Sequence, residues 1–94
     1  MIIGKIIGNV WATRKNESLN GHKLMIVEAY QYGGGYSRQY PFVAVDTIGA
    51  GIGEMVLVVT GSSARVVLGQ NNIPVDNTIV GIIDQIDIPP EHKD

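Results

Sequence analysis

The chain has 94 residues, which is the size of one domain. It contains no cysteine, so disulfides, zinc–thiolate sites and thiol catalysis are excluded. Charged residues make up 17%, against roughly 25% in ordinary soluble domains, whereas apolar residues make up 45%. The formal net charge is −2, from 7 basic and 9 acidic side chains, and this balance argues against a nucleic-acid-binding protein.

A short chain buries a smaller share of its surface than a long one does. With few charges and many apolar residues, we expect an oligomer whose subunit contacts cover what one subunit cannot bury. The alternative is a monomer with a rather apolar surface.

The apolar start of the chain is interrupted by Lys5 and has no basic region before a long apolar run, so we expect no signal peptide. No apolar stretch reaches the roughly 18 residues that a membrane-spanning helix needs. We therefore expect a cytoplasmic protein without a membrane partner.

The first half of the chain predicts three β-strands, at 2–11, 23–32 and 40–46. The first strand is rich in Ile and Val. Gly4 and Gly8 lie inside it and predict a bulge or a sharp bend, as the corners of a barrel require.

The second half predicts two more strands, at 54–60 and 77–88, the latter stopped by two prolines. The apolar run at 55–59 is continuous, which predicts burial on both faces of that strand. A short helix is predicted between these strands, with Ser62 or Ser63 capping its start and Gly69 ending it.

These elements predict an all-β fold, a small five-stranded OB-like barrel with one short helix between strands 4 and 5. We expect one domain over residues 1–88 and a short charged tail at 89–94.

Asp46-Thr47-Ile48 is similar to the Asp-Thr-Gly of aspartic proteases, but Ile48 takes the place of the glycine that lets two such carboxylates approach and share a proton. The ordinary role of Asp46 is to end a strand and accept N–H bonds from the following turn.

Gly49, Gly51 and Gly53 alternate as in part of a phosphate-binding loop. A dinucleotide site needs a helix after the glycines, and a strand is predicted there instead. We therefore expect these glycines to serve the backbone shape of a turn.

The histidines, His22 and His92, have no partner at metal-ligand spacing. Asp84 and Asp87 are three residues apart on a predicted strand, so they face opposite sides and form no acid–base pair. The sequence thus predicts no catalytic residues, no metal and no cofactor.

Aromatic residues offer one alternative function, a stacking platform for single-stranded nucleic acid. The basic residues that would follow the phosphates are few and scattered, so packing at a sheet face or a subunit contact is the simpler interpretation. The aromatic residues concerned are Trp11, Tyr30, Tyr32, Tyr36 and Tyr40.

Arg65 is the charge with the clearest structural context, because it follows a helix start and lies among apolar residues. Its planar guanidinium could reach carboxylates or carbonyls of a neighbouring chain. A solvated arginine is the alternative.

Together, several segments resemble the EutN/CcmL family of bacterial microcompartment vertex proteins, and their order and spacing agree over about residues 1–88. The segments are GNVWATRK from Gly8, LxGxKL from Leu19, VAVDTIGAGxGE from Val43, GSSAR from Gly61 and PVDxxIVxIID from Pro74.

The resemblance implies a structural shell protein and no enzyme. Members are OB-like barrels that assemble as flat pentamers. The pentamers occupy the vertices of a polyhedral shell, whose facets are hexameric shell proteins of a different fold. The implied partners are therefore further copies of this chain and hexameric shell proteins.

The resemblance also implies a subunit contact towards the five-fold axis. We expect Thr60, Gly61, Ser62, Ser63 and Arg65 at this contact, with Arg65 bonding across it to an acid such as Asp46 or Asp76. Trp11 stands where the family usually has a smaller apolar residue.

Two other classes stay open at this point. One is an OB-like binding module for single-stranded nucleic acid or a small ligand. The other is a homo-oligomeric hydrolase, which would need an acid–base pair that we do not find in the sequence.

Overall fold

The computed structural model describes residues 1–12, 15–31, 35–36, 41–69 and 73–89. These residues contain a 3₁₀ turn at Glu17–Leu19 and seven regular elements, namely β1 (Ile2–Val10), β2 (Lys23–Gln31), β3 (Gly35–Tyr36), β4 (Phe42–Asp46), β5 (Met55–Thr60), α1 (Ser62–Leu68) and β6 (Asn77–Ile82). The five longer strands are the predicted ones, and β3 is a two-residue addition.

The five longer strands close into a barrel. Their order is β1-β5-β6-β4-β2, and β1 pairs with β2 to complete the circle. The β4–β6 pair is parallel and the other pairs are antiparallel. With the short helix α1 between the last two strands, this arrangement confirms the predicted OB-like fold.

β1 closes the barrel because it pairs with two strands. Its first residues face β5, and its residues from Gly4 onward face β2. The register with β2 shifts between Ile6 and Gly8, where Ile7 is the extra residue, so the strand bends from one partner to the other. The bulge thus lies beside Gly8, one of the two strand glycines that predicted a bulge or bend.

The interior of the barrel is filled by side chains that alternate along the strands. One fully buried cluster includes Ile6, Met25, Val27, Val56, Val58 and Ile79. A second cluster beneath α1 consists of Val45, Ala64, Ile73 and Val75.

The prediction that β5 is buried on both faces is wrong for the single chain. Val56 and Val58 are fully buried, whereas Met55, Leu57 and Val59 are half-buried. In a closed barrel only alternate side chains point inward, and the described residues cover the other face of β5 only in part, for Val59 through the cluster beneath α1.

β6 is shorter than predicted and ends at Ile82 rather than at residue 88. The amide of Ile83 still donates to the carbonyl of Met55, at 2.8 Å. Because β5 begins at Met55, β6 has no residue of that strand to pair with beyond this point.

The predicted serine cap of α1 is also wrong. Gly61 holds the cap position, with φ 64° and ψ −140°, and no side chain caps the helix. The chain turns from β5 into α1 at a positive φ that favours glycine over serine. Gly69 ends the helix in the left-handed conformation, as predicted.

Gly4→Ala is expected to lower the free energy of unfolding by about 1–3 kcal/mol. A Cβ at Gly4 would collide with Cγ1 of Val27 and lie 3.0 Å from the carbonyl oxygen of Glu28. Val27 is fully buried, so it has little room to move away. Urea unfolding at fixed protein concentration measures the loss.

Gly81→Ala is the matched control, because its Cβ would lie 3.7 Å from Cβ of Leu57, an ordinary contact. We expect its unfolding midpoint to stay near that of the wild type. Equal midpoints for the two variants would contradict the steric argument.

Candidate assembly surface

Six of the seven residues predicted at the subunit contact lie together where β5 passes into α1. Thr60 ends β5, and the amide of Gly61 donates to the carbonyl of Asp76 at 2.8 Å. Ser62 and Ser63 open α1 and are exposed. The segment before β6 therefore runs beside the start of the helix.

Arg65 contacts the junction of β5 and α1 through bonds within its own subunit. Its Nη1 donates to the carbonyl of Val75 at 3.1 Å and lies 3.3 Å from Oδ1 of Asp76. The Arg65 side chain is 28% exposed, whereas the Asp76 side chain is 84% exposed. The Arg65–Asp76 pair thus exists within one subunit, and a bond across a subunit contact stays a prediction.

α1 is fixed to the barrel by a buried hydrogen bond. The hydroxyl of Thr78 on β6 donates to the carbonyl of Ala64 at 3.1 Å, and both residues are fully buried. The bond holds Arg65 and the exposed residues of α1 in a defined position.

Asp46 lies apart from the junction. Its side chain is 1% exposed, accepts the amide of Ile48 at 3.1 Å and lies 3.8 Å from Nζ of Lys23. That ammonium also donates to the carbonyl of Ala50 at 3.0 Å. Asp46 therefore ends its strand and ties the following turn to β2.

The turn after Asp46 contains the predicted glycines. Gly49 and Gly53 have φ of 79° and 92°, which favour glycine, whereas Gly51 has no positive φ. The amide of Gly51 donates to Oε1 of Glu54 at 2.6 Å. The strand β5 follows this turn, so no helix start faces the glycines as a phosphate site would require.

In the part of the chain that the structure describes, no three residues of the His, Asp and Glu types are grouped so as to hold a metal ion. His22 is half-buried. His92 lies outside the described residues.

An open groove of about 400 Å³ lies between the end of β1, the start of β2 and the loop that leads to β5. We call it the Trp11 groove. Trp11, 91% exposed, and Ile52, 60% exposed, are its most exposed apolar residues. The ionisable residues that the structure places along it are Lys15, His22 and Lys23, without an acidic one.

Sequence reasoning missed the Trp11 groove because its walls are far apart in the chain. The pairing of β1 with β2 sets Trp11 beside the start of β2, and the Lys23–Asp46 and Lys23–Ala50 contacts bring the glycine turn to the same place. The unusual tryptophan at position 11 was the available signal.

The outer face of α1 is a second feature that sequence reasoning missed. Val66 is 68% exposed and Val67 is 46% exposed, whereas Ala64 faces the core. A seven-residue helix with two exposed valines leaves apolar surface that the subunit does not cover.

Trp11 and Tyr30 do not form the aromatic platform that was the alternative to packing. Trp11 lies beside the start of β2, and Tyr30 lies near the end of that strand. At about 3.3 Å per residue, the two are about 20 Å apart along the strand. Tyr32 and Tyr40 lie outside the described residues, as does the side chain of Tyr36.

Among the described residues, no helix has the length and apolar character needed to cross a bilayer.

The described residues define a small closed OB-like barrel with exposed apolar surface on α1 and around the Trp11 groove. The family described as "Ethanolamine utilisation protein EutN/carboxysome" matches residues 1–84. The chain belongs to this EutN/CcmL family, as the resemblance of its motifs predicted.

Named relatives cover nearly the whole chain. The bacterial microcompartment shell vertex protein GrpN of Rhodospirillum rubrum is 43% identical over 91 residues, which are 93% of this chain and 97% of GrpN. The carboxysome shell vertex protein CcmL of Nostoc is 40% identical over 88 residues, which are 94% of this chain and 87% of CcmL.

The fold is shared with a solved relative as well. The structure described as the GrpN pentameric microcompartment shell protein from Rhodospirillum rubrum matches with a TM-score of 0.84 at 42% identity. The match covers 95% of this chain and 100% of that one.

Thr78→Val is expected to lower the free energy of unfolding by about 1 kcal/mol, because the buried carbonyl of Ala64 loses its hydroxyl donor. Thr47→Val is the matched control. The Thr47 hydroxyl donates to the carbonyl of Ile79 at 2.7 Å, but Thr47 is exposed, so water can replace it. Thermal unfolding compares the two, and a larger loss for Thr47→Val would contradict the role of burial.

Proposed function

We propose that this chain forms homopentamers that cap the vertices of a polyhedral bacterial microcompartment shell. The observation that carries the proposal is the likeness to GrpN, a named shell vertex protein whose solved structure is described as pentameric. The likeness extends over nearly the whole chain, so it concerns the entire barrel. The chain is a structural protein and not an enzyme.

A ring needs a head-to-tail contact, in which two different patches of each subunit meet. The junction of β5 and α1 supplies a candidate for one patch, and the half-buried outer residues of β5 adjoin it. A five-fold ring among six-fold neighbours introduces curvature, so a flat layer closes into a shell. This function is geometric and requires no reactive group.

The subunit contact that we propose contains Thr60, Gly61, Ser62, Ser63 and Arg65, near the five-fold axis. A guanidinium has five N–H donors, and the described bonds of Arg65 use its Nη1. Further donors are thus available to an acid of the next subunit.

Asp76 is the better acceptor for that bond. Its side chain is 84% exposed beside the junction, so a second copy can reach it. The Asp46 carboxylate is 1% exposed and is engaged with Lys23 and Ile48 of its own chain, so we place it outside the contact.

We also propose that residues 1–88 act as one domain, since both buried clusters draw on residues from the two halves of the chain. Residues 89–94 form the short charged tail in this proposal. The alternative of an OB-like nucleic-acid module is not favoured, because the net charge is −2 and the described aromatics are apart.

Native mass across a dilution series tests the pentamer. We expect a stable species near five times the 10.1 kDa subunit, which falls to monomer only on strong dilution. A chain that is monomeric at every concentration would contradict the proposal.

The same series on Arg65→Ala tests the subunit contact. We expect the ring to be weakened by about 2–5 kcal/mol per contact, because an acidic partner loses its cation. Asp84→Ala removes an exposed charge after β6 and serves as the control. An Arg65→Ala ring that resists dilution as the wild type does would remove Arg65 from the contact.

Hexameric shell proteins are the second class of partner that we propose, because a vertex needs facets around it. Co-expression of this chain with a hexameric shell protein is expected to give closed particles in electron microscopy. The hexamer alone should give sheets or tubes. Closed particles in equal number without this chain would show that it is not the vertex component.

A further inference from the structure

We propose that the Trp11 groove receives helix α1 of the neighbouring copy, with Val66 and Val67 seated against Trp11 and Ile52. This inference rests on the proposed function, since it names the two patches of the head-to-tail contact.

The outer face of α1 is an apolar surface held at a defined place on the barrel. Val66 and Val67 are 68% and 46% exposed. The helix that presents them is anchored by the Thr78–Ala64 bond and ended by Gly69. Because the helix is fixed, the valines lose little freedom when a partner covers them.

The Trp11 groove is the matching concave surface. Trp11 and Ile52 are 91% and 60% exposed on its walls. A large exposed aromatic beside an apolar recess is typical of the anchors of protein interfaces. The groove of about 400 Å³ is open to solvent in the single chain, so a side chain from outside can enter it.

Beside α1 the carboxylate of Asp76 is more exposed than the guanidinium of Arg65 that pairs with it, whereas the groove carries two lysines. Asp76 lies next to the start of α1 with its carboxylate 84% exposed. Lys15 is exposed beside the groove, and the Lys23 side chain there is 53% exposed. Docking α1 into the groove of the next copy brings Asp76 toward these lysines, so in this arrangement Lys15 and Lys23 take the place of Arg65 as the cations that meet Asp76 across the contact.

The same charges disfavour pairing of two identical surfaces. Two grooves facing each other would bring Lys15 and Lys23 of one copy against those of the other. Such a symmetric contact would also end at a dimer. Contact between two different surfaces propagates and closes into a ring.

Trp11 is the only tryptophan of the chain, so its fluorescence reports on the groove. In the assembled protein we expect blue-shifted emission and several-fold weaker quenching by acrylamide than in the diluted monomer. The emission and the native mass should change over the same concentration range.

The valines of α1 are tested by Val66→Ser with Val67→Ser. Loss of their apolar area should raise the dissociation midpoint at least about tenfold. It should also return Trp11 to the quenching of the monomer at matched dilution. Val43→Ser is the control, since Val43 is 46% exposed on β4, and we expect it to leave both readouts unchanged.

Cysteine pairs test the contact directly, because the chain has no cysteine of its own. A chain carrying Ile52→Cys is mixed with one carrying Val67→Cys and treated with a short bismaleimide crosslinker. We expect covalent dimers from the mixture and few from either variant alone. Val43→Cys replaces Val67→Cys in the control mixture.

The outcomes separate this inference from the proposed function. A pentamer in which acrylamide quenches Trp11 as freely as in the monomer overturns the inference. The groove would then lie outside the subunit contact. A pentamer with a shielded Trp11 that tolerates both serine substitutions overturns the role of α1. A monomer at every concentration overturns both proposals, and native mass alone reveals it.

Discussion

The closure of the barrel through β1 is the constraint on which the other features depend. β1 pairs with β5 at its start and with β2 along its length, and the bulge at Ile7 bends it between them. Gly4 lies where the two pairings overlap, against Val27, with no room for a Cβ. Without this close approach the sheet would keep two open edges, and the interior cluster would face water.

Closure determines which surfaces the subunit leaves exposed. Alternate side chains fill the interior, so the outer residues of β5, the valines of α1 and the walls of the Trp11 groove stay at the surface. The described part of the chain does not fully cover them, since a short chain buries a smaller share of its surface than a long one. In the assembly that we propose, the next subunit buries this apolar area.

At the junction of β5 and α1, hydrogen bonds to the barrel hold a short helix in a defined position. Seven residues are too few to form a stable helix alone. Here the Gly61–Asp76 bond positions its start, and the Thr78–Ala64 bond holds it against the barrel. Arg65 then bonds Val75 and Asp76 of its own chain through Nη1, and its side chain stays 28% exposed. In the function that we propose, the geometry of this junction matters and no reactive group is required.

The sequence by itself determined the five longer strands, the place of the short helix and the family, because alternating and continuous apolar runs, glycine turns and ordered motifs are local signals. Only the tertiary structure decided that β6 ends at Ile82, that Gly61 takes the cap position and that Asp46 faces Lys23. It alone revealed the Trp11 groove and the exposed valines of α1. These features depend on contacts between residues far apart in the chain: β6 lacks a partner beyond Met55, and the groove exists because barrel closure brings Trp11 beside Ile52.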